Sequence, residues 1–225
     1  MIVTRSEPIT LVGGGEVLDG ALRAALALAP HVVAADGGAD AALAAGVTPV
    51  AVIGDFDSIS DAARSAIPQA AQHVIEEQDS TDFDKAVRSI GAPLILGVGF
   101  TGGRLDHGLA ACNTLIRHPE RRVILIGRNT LMLLAPPSLR LELEQDSLVS
   151  LFPMGAVEGV SDGLEWPIAG LNFAPDGKVG TSNRALGPAQ GAVHLSFTAP
   201  KMLLILPVET LGEVVRALGQ TVARW

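Results

Sequence analysis

Short apolar runs recur along the first half of the chain. Each is followed by Gly or Asp and then by an Ala- and Leu-rich stretch of helical period. ITLV (9–12), HVVAA (31–35), VAVI (50–53), HVI (73–75), PLILGV (93–98) and VILIG (123–127) read as strands, and the stretches between them predict helices near 17–29, 39–45, 60–66, 82–90 and 105–117. Apolar runs without polar alternation suit strands buried on both faces. A βαβα series of this kind predicts an α/β fold, a mostly parallel sheet with helices on both faces. The pattern changes after about residue 135. Pro136-Pro137 breaks the chain, LRLELEQ (139–145) alternates strictly, and LVSLFP, KVGTSN and AVHLSF follow between segments rich in Gly, Pro, Asn and Asp. That is the pattern of a smaller antiparallel β domain. KMLLILPV (201–208) predicts a last strand, and 209–219 a terminal helix. The expected domains are therefore 1–135 and 136–225.

Composition narrows the class. The chain has 225 residues, 48% hydrophobic and 18% charged, which is ample for a buried core. Its net charge is −8 and its Lys and Arg form no dense cluster, so nucleic acid is not an expected partner. No apolar run approaches the ~18 residues of a membrane helix, and MIVTRSEPIT has no apolar segment behind its one Arg. A single cysteine, Cys112, excludes an intramolecular disulfide. The expectation is a cytoplasmic protein without a membrane partner.

The acids are unevenly spread. Nine of the 13 Asp residues lie between positions 36 and 106, and most follow a predicted strand. In open α/β sheets, ligands bind beyond the C-terminal ends of the strands. In GDFDS, Asp55 and Asp57 are two apart at a strand end, so an extended backbone points both carboxylates the same way. They repel each other unless a cation sits between them, and Mg²⁺ takes oxygen ligands of this kind. Relieving that repulsion with Asn is expected to leave the fold intact. In DSTDFDKA, Thr81 and Asp84 have the spacing of a capping box, which leaves Asp79 and Asp82 for a site. In GVGFTGGRLDH, Gly102 and Gly103 let backbone N–H groups approach phosphate oxygens at a helix start, and Arg104 adds a fork that holds phosphate bidentately. Gly13, Gly14, Gly37 and Gly38 mark further turns where backbone can approach a ligand. Asp106 can charge the helix start, and His107 lies beside it.

Gly97 to Gly102 also matches G-x-G-x-x-G after a strand, the fingerprint of an NAD(P)-dependent oxidoreductase. The next strand ends Gly127-Arg128-Asn129, with no acid for the ribose. Cys112 reads as core, and His31, His73, His118 and His194 as structural.

ADGGAD, IGDFDS, DSTDFDKA and TGGRLDHGLAACN, in this order and spacing, resemble the thiamine pyrophosphokinase family, as do the later GLEWP and TSN. The resemblance implies a Rossmann-like nucleotide-binding catalytic domain followed by a β-sandwich thiamine-binding domain, in a homodimer. It implies transfer of a diphosphate group from ATP to the hydroxyl of thiamine, with Mg²⁺, giving thiamine diphosphate and AMP. Asp36, Asp55, Asp57, Asp79 and Asp82 fall on the family's acidic motifs. Arg104, Asp106 and His107 fall on its GGR-x-DH motif, with Asn113 on the following helix. Ser182 and Asn183 fall on the motif tied to thiamine. Asp55, Asp57 and Asp82 are the expected metal ligands, with Asp57 and Asp82 as alternative proton acceptors. Gly13, Gly14, Asp36, Gly37, Gly38, Thr81, Gly102, Gly103, Arg104, Asp106 and His107 are expected on the ATP side. Asp79, Asn113, Trp166, Ser182 and Asn183 are expected on the thiamine side, in a pocket that draws on both domains. The chain has no Tyr, so a thiamine pocket has few aromatic walls to choose from. A non-catalytic nucleotide or thiamine sensor of the same fold is the other alternative.

Overall fold

The computed structural model describes the whole chain, Met1–Trp225. It divides into two compact units, Met1–Arg128 and Asn129–Trp225. In chain order the elements are β1 (Val3–Thr4), β2 (Ile9–Val12), α1 (Asp19–Leu28), β3 (His31–Ala35), α2 (Gly38–Ala44), β4 (Ala51–Gly54), α3 (Asp61–Ala66), β5 (Gln72–Val74), α4 (Asp82–Ser89), β6 (Ile90–Gly91), β7 (Ile95–Val98), α5 (Leu105–Arg117) and β8 (Val123–Ile126) in the first unit. The second holds β9 (Thr130–Leu134), β10 (Ser138–Leu141), β11 (Leu148–Pro153), β12 (Val157–Asp162), β13 (Asn172–Phe173), β14 (Gly180–Arg184), β15 (Val193–Phe197), β16 (Met202–Pro207) and α6 (Leu211–Gln220).

In the first unit, six parallel strands run in the order β8-β7-β2-β3-β4-β5. β2, β4, β7 and β8 are buried along their whole length, as unalternating apolar runs require. The chain winds outward from β2 to β5, then crosses back to place β7 on the free side of β2. The switch in strand order thus falls between β2 and β7, where the turns that follow the two strands are hydrogen-bonded to each other, Gly13 and Gly15 donating to the Val98 and Gly99 carbonyls. Two helices carry their own caps. Ser60 Oγ accepts from the Ala63 N–H at 3.1 Å, and Thr81 Oγ1 from the Asp84 N–H at 3.3 Å, each worth about 1 kcal/mol. The capping box at Thr81 is only half made. The Asp84 carboxylate is buried and takes Arg117 Nη1 at 3.1 Å and His118 Nε2 at 3.0 Å, tying α4 to the end of α5.

The second unit holds two antiparallel sets, β14-β11-β16-β9 and β10-β15-β12-β13. Burial alternates along them: Val149 and Leu151 on β11, and Val193, Leu195 and Phe197 on β15, face inward. The unit begins at Asn129, earlier than the Pro136-Pro137 break. The reason is that 130–134 pairs antiparallel with β16 rather than extending the parallel series. β12 has no apolar run to announce it, since Gly159 and alternating polar residues interrupt VEGVSD. LRLELEQ forms a ladder only to Leu141, although Leu143 keeps the inward alternation. No helix is long and apolar enough to cross a membrane.

Candidate active site at the strand ends

The C-terminal ends of β3 and β4 and the first turn of α4 bring four aspartates together. Asp36, Asp55 and Asp57 each offer an oxygen within 4.8 Å of the others. Asp36 and Asp82 both crowd Gly54, where a Cβ would lie 2.8 Å from Asp36 Cβ and 3.1 Å from Asp82 Oδ1. Gly54 is thus the floor on which Asp36 and Asp82 meet. Asp36 and Phe56 hold left-handed backbone, φ 42° and 66°, which non-glycine residues adopt at a cost.

Each acid has a distinct environment. Asp36 is 3% exposed. Its Oδ2 accepts from the Ser58 N–H at 3.0 Å, and its Oδ1 is buried without a partner. Burial pushes its carboxyl up to about 6, against the Ser58 N–H and reinforced by the charges of Asp82 and Asp57. Burial also pushes Asp55 up. Hydrogen bonds from Lys85, the Asp57 N–H and Gln78, with the Lys85 charge, outweigh it and leave the carboxyl below its ordinary value. Asp57 is exposed and accepts from Ser58 Oγ at 2.7 Å. Asp82 binds Lys85 Nζ at 3.1 Å. Lys85 was not singled out from the sequence, because a helical lysine is most often solvated. Its signal was the Asp82-x-x-Lys85 spacing, which places both on one helix face.

The raised Asp36 carboxyl makes a prediction for the metal-free chain. Folded, it keeps its proton to about pH 6, and the ordinary value is 3.8. Its contribution to stability is therefore greatest below about pH 4 and is lost as pH rises through about 6. Asp36→Asn should flatten that part of a pH–Tm curve recorded in EDTA. A variant curve as steep as wild type would place the titration elsewhere.

The glycines divide into two kinds. Gly13 and Gly15 donate their N–H groups to the Val98 and Gly99 carbonyls, at 2.8 and 3.1 Å. A Cβ on Gly13 would meet the Phe100 ring at 2.5 Å, and one on Gly38 the Val12 carbonyl at 2.0 Å. These glycines let loops pack on one another, so Gly13 presents no free N–H to a ligand. Gly14 and Gly37 have ordinary or slightly tight surroundings. Gly102 and Gly103 are left-handed and exposed just ahead of α5. Gly97 lies inside β7 and Gly99 packs against Gly13, so the G-x-G-x-x-G match serves loop packing. Arg104 is exposed, and its fork closes on Asp106, with Nε 3.2 Å from Oδ1. That hydrogen bond and charge hold the Asp106 carboxyl down at about 2. His107, Asn113 and Asp79 are exposed, and Cys112 is half-buried. Thr81 caps α4.

In the second unit, Trp166 is 54% exposed and so does not fill the core. Asn183 is buried on β14 and grips the Trp166 backbone from both sides: Nδ2 donates to the Trp166 carbonyl at 2.7 Å, and Oδ1 accepts the Trp166 N–H at 3.2 Å. Ser182 lies in β14, with φ 65°, beside a bulge in β11. Asn183→Ala strips both Trp166 backbone groups of partners, at a cost of about 1–3 kcal/mol. The expected result is a Tm several degrees lower. An unchanged melt would show that water replaces the amide. Elsewhere, Ser138 Oγ meets His194 Nε2 at 2.9 Å and His194 Nδ1 lies 3.6 Å from Asp162. This serine-histidine-acid order sits on an open strand face with Asp162 solvated, and the ladders on both sides of β15 occupy its N–H groups. No oxyanion donor is offered there.

Fold and site together define an α/β protein that gathers carboxylates at its strand ends, with an exposed left-handed glycine pair ahead of α5. Residues 22–125 match the family model described as thiamin pyrophosphokinase, catalytic domain. Thiamine pyrophosphokinase 1 of Arabidopsis thaliana is 31% identical over 154 residues, which cover 60% of this chain and 58% of that protein. The chain thus spans just under three fifths of that relative's length. The thiamin pyrophosphokinase of Geobacillus thermodenitrificans superposes with a TM-score of 0.72 at 26% identity, covering 89% of this chain and 96% of that one. That of Candida albicans gives a TM-score of 0.74 at 16% identity, covering 91% and 92%, a likeness of fold alone. The resemblance to the thiamine pyrophosphokinase family read from the sequence is borne out. The oxidoreductase alternative finds no support among these matches.

Proposed function

We propose that the chain transfers a diphosphate group from ATP to the hydroxyl of thiamine, giving thiamine diphosphate and AMP. The grouping of Asp36, Asp55 and Asp57, with Asp36 and Asp82 meeting over Gly54, in a unit that matches that catalytic domain, is the observation that carries this reading. The residues fit Mg²⁺: the donors are hard carboxylate oxygens, and Asp36 Oδ1 is a buried acceptor without a partner. Asp55 and Asp57, with Asp36 or Asp82, would hold the ion, which when bound neutralises phosphate charge. The protein's own part is placement. Gly102 and Gly103 leave room for phosphate against backbone N–H groups. Arg104 exchanges the Asp106 carboxylate for phosphate, a ligand of similar fork geometry. One carboxylate of the cluster, Asp57 or Asp82, takes the hydroxyl proton. On the thiamine side, the exposed Trp166 indole offers a stacking face for the flat, cationic ligand. Asn183 sets the Trp166 segment, and Ser182, Asp79 and Asn113 complete the proposed set. The unit names follow: a Rossmann-like nucleotide-binding catalytic unit, then a β-sandwich thiamine-binding unit, in a cytoplasmic homodimer. Sedimentation at assay concentration checks the dimer.

The test is one reaction: the full chain with ATP, Mg²⁺ and thiamine, with AMP and thiamine diphosphate quantified. Equal amounts of both products, absent in EDTA and restored by Mg²⁺, are expected. Binding of both ligands without AMP would favour the sensor.

A further inference from the structure

The acidic site already contains a cation of its own. Lys85 is 1% exposed, and its Nζ lies 3.0 Å from Asp55 Oδ2 and 3.1 Å from Asp82 Oδ1. A lysine is almost never buried this fully unless it is paired. Here the partners come from two elements, the end of β4 and the first turn of α4. They are two of the three acids expected from the sequence to bind metal. The second grouping also includes Asp55: Asp36, Asp55 and Asp57 bring their oxygens within 4.8 Å of one another. The buried Asp36 Oδ1 has no partner there. The four carboxylates thus form two cation positions that share Asp55. One is filled by an ammonium, and the other is lined by an unsatisfied buried oxygen.

Two-metal phosphoryl-transfer sites place their ions about 3.5–4 Å apart. An ammonium is a compact point charge with three donors, suited to one of two such positions. Resting on the reading that these acids hold a divalent cation, we propose that Lys85 stands in for a second metal ion. It positions Asp55 and Asp82 and limits the cluster to one divalent cation, held by Asp36, Asp55 and Asp57.

The experiment is a Mn²⁺ titration of the full chain without nucleotide, followed by electron paramagnetic resonance. Wild type should bind one Mn²⁺ with an uncoupled six-line signal. Lys85→Ala should bind two, with spin coupling between them, and Lys85→Arg should return the count to one. A merely structural lysine would not change the stoichiometry or the coupling. Should Lys85→Ala fail to fold, Lys85→Ser carries the same expectation. The wild-type count decides by itself as well, since two coupled ions in wild type would overturn the proposal. So would one ion of unaltered affinity in a folded Lys85→Ala chain. Asp57→Asn separates this from the underlying reading. If it leaves Mn²⁺ binding untouched, or wild type binds none, the acidic cluster is not the metal site and both fall. If it abolishes binding while Lys85→Ala adds no ion, only the role of Lys85 falls.

Discussion

Asp57→Asn and Asp55→Asn are each expected to lower kcat/KM for thiamine diphosphorylation by at least ~10²-fold, and they should differ in stability. The kinetic loss corresponds to ~2.7 kcal/mol at ~1.36 kcal/mol per decade. Both substitutions keep side-chain size and remove a charge from the cation position. Asp57 is exposed and accepts from the exposed Ser58 Oγ, so its replacement leaves no buried donor unpaired. Its melt should match wild type. Asp55 holds the buried Lys85 ammonium, the Asp57 N–H and Gln78. Asn at 55 leaves Lys85 with one carboxylate instead of two, in a place where water does not reach it. Weakening a buried ion pair in this way costs about 1–3 kcal/mol. At about 2–4 °C per kcal/mol for a chain of this size, Tm should fall by several degrees. Relief of like-charge repulsion, which from sequence alone predicts an intact fold for both, is thus outweighed at 55 by the lysine. The check is paired kinetics and thermal melts. Wild-type kinetics in Asp57→Asn would move the cation away from this cluster. Equal melts would mean that Asp55 does not hold Lys85.

The parallel series was legible because β2, β3, β4, β7 and β8 are mostly apolar, buried runs that run into Gly or Asp, whereas the edge strand β5 (Gln72–Val74) is short and half-exposed. The polarity switch itself marks where the strand leaves the core and the site begins. The acids could be pooled from sequence for the same reason. Lys85 could not, because its burial is a tertiary fact: only when α4 packs against β4 does its ammonium reach Asp55, thirty residues away. The glycines misled in part. Gly13 and Gly38 read as places for ligand approach, yet what approaches them is the Phe100 ring and the Val12 carbonyl. A glycine required by a neighbouring loop and one required by a phosphate look alike in a sequence. The second unit was harder. A strand such as β12, with one face solvated and a glycine inside it, carries little apolar signal. Asn183 reads equally as a ligand contact and as a backbone clamp until its partners are seen.

Gly54→Ala is expected to cost as much activity as losing an acid, although it adds one methyl group and no charge. Gly54 does not adopt a left-handed conformation, so alanine is acceptable to its backbone. The effect must therefore be steric. The new Cβ would lie 2.8 Å from Asp36 Cβ and 3.1 Å from Asp82 Oδ1, and neither neighbour is free to retreat. Asp36 is pinned by its N–H on the Ile53 carbonyl at 3.0 Å and by Ser58 on its carboxylate. Asp82 is pinned by Lys85. Gly54 itself is held through its carbonyl, which accepts the N–H of Ile75, the residue after β5, at 2.7 Å. Overpacking of this kind costs about 1–3 kcal/mol. The larger consequence is geometric, because displacement of reacting groups by about 1 Å costs ~10²-fold in rate. The expected result is at least a ~10²-fold fall in kcat/KM, weaker Mn²⁺ binding and a Tm lower by a few degrees. Gly20→Ala provides the control. Nothing lies within 4 Å of a Cβ there, in the first turn of α1, so it should be active and no less stable than wild type. A Gly54→Ala chain with wild-type turnover and metal affinity would show that the carboxylates do not converge over this strand end during catalysis.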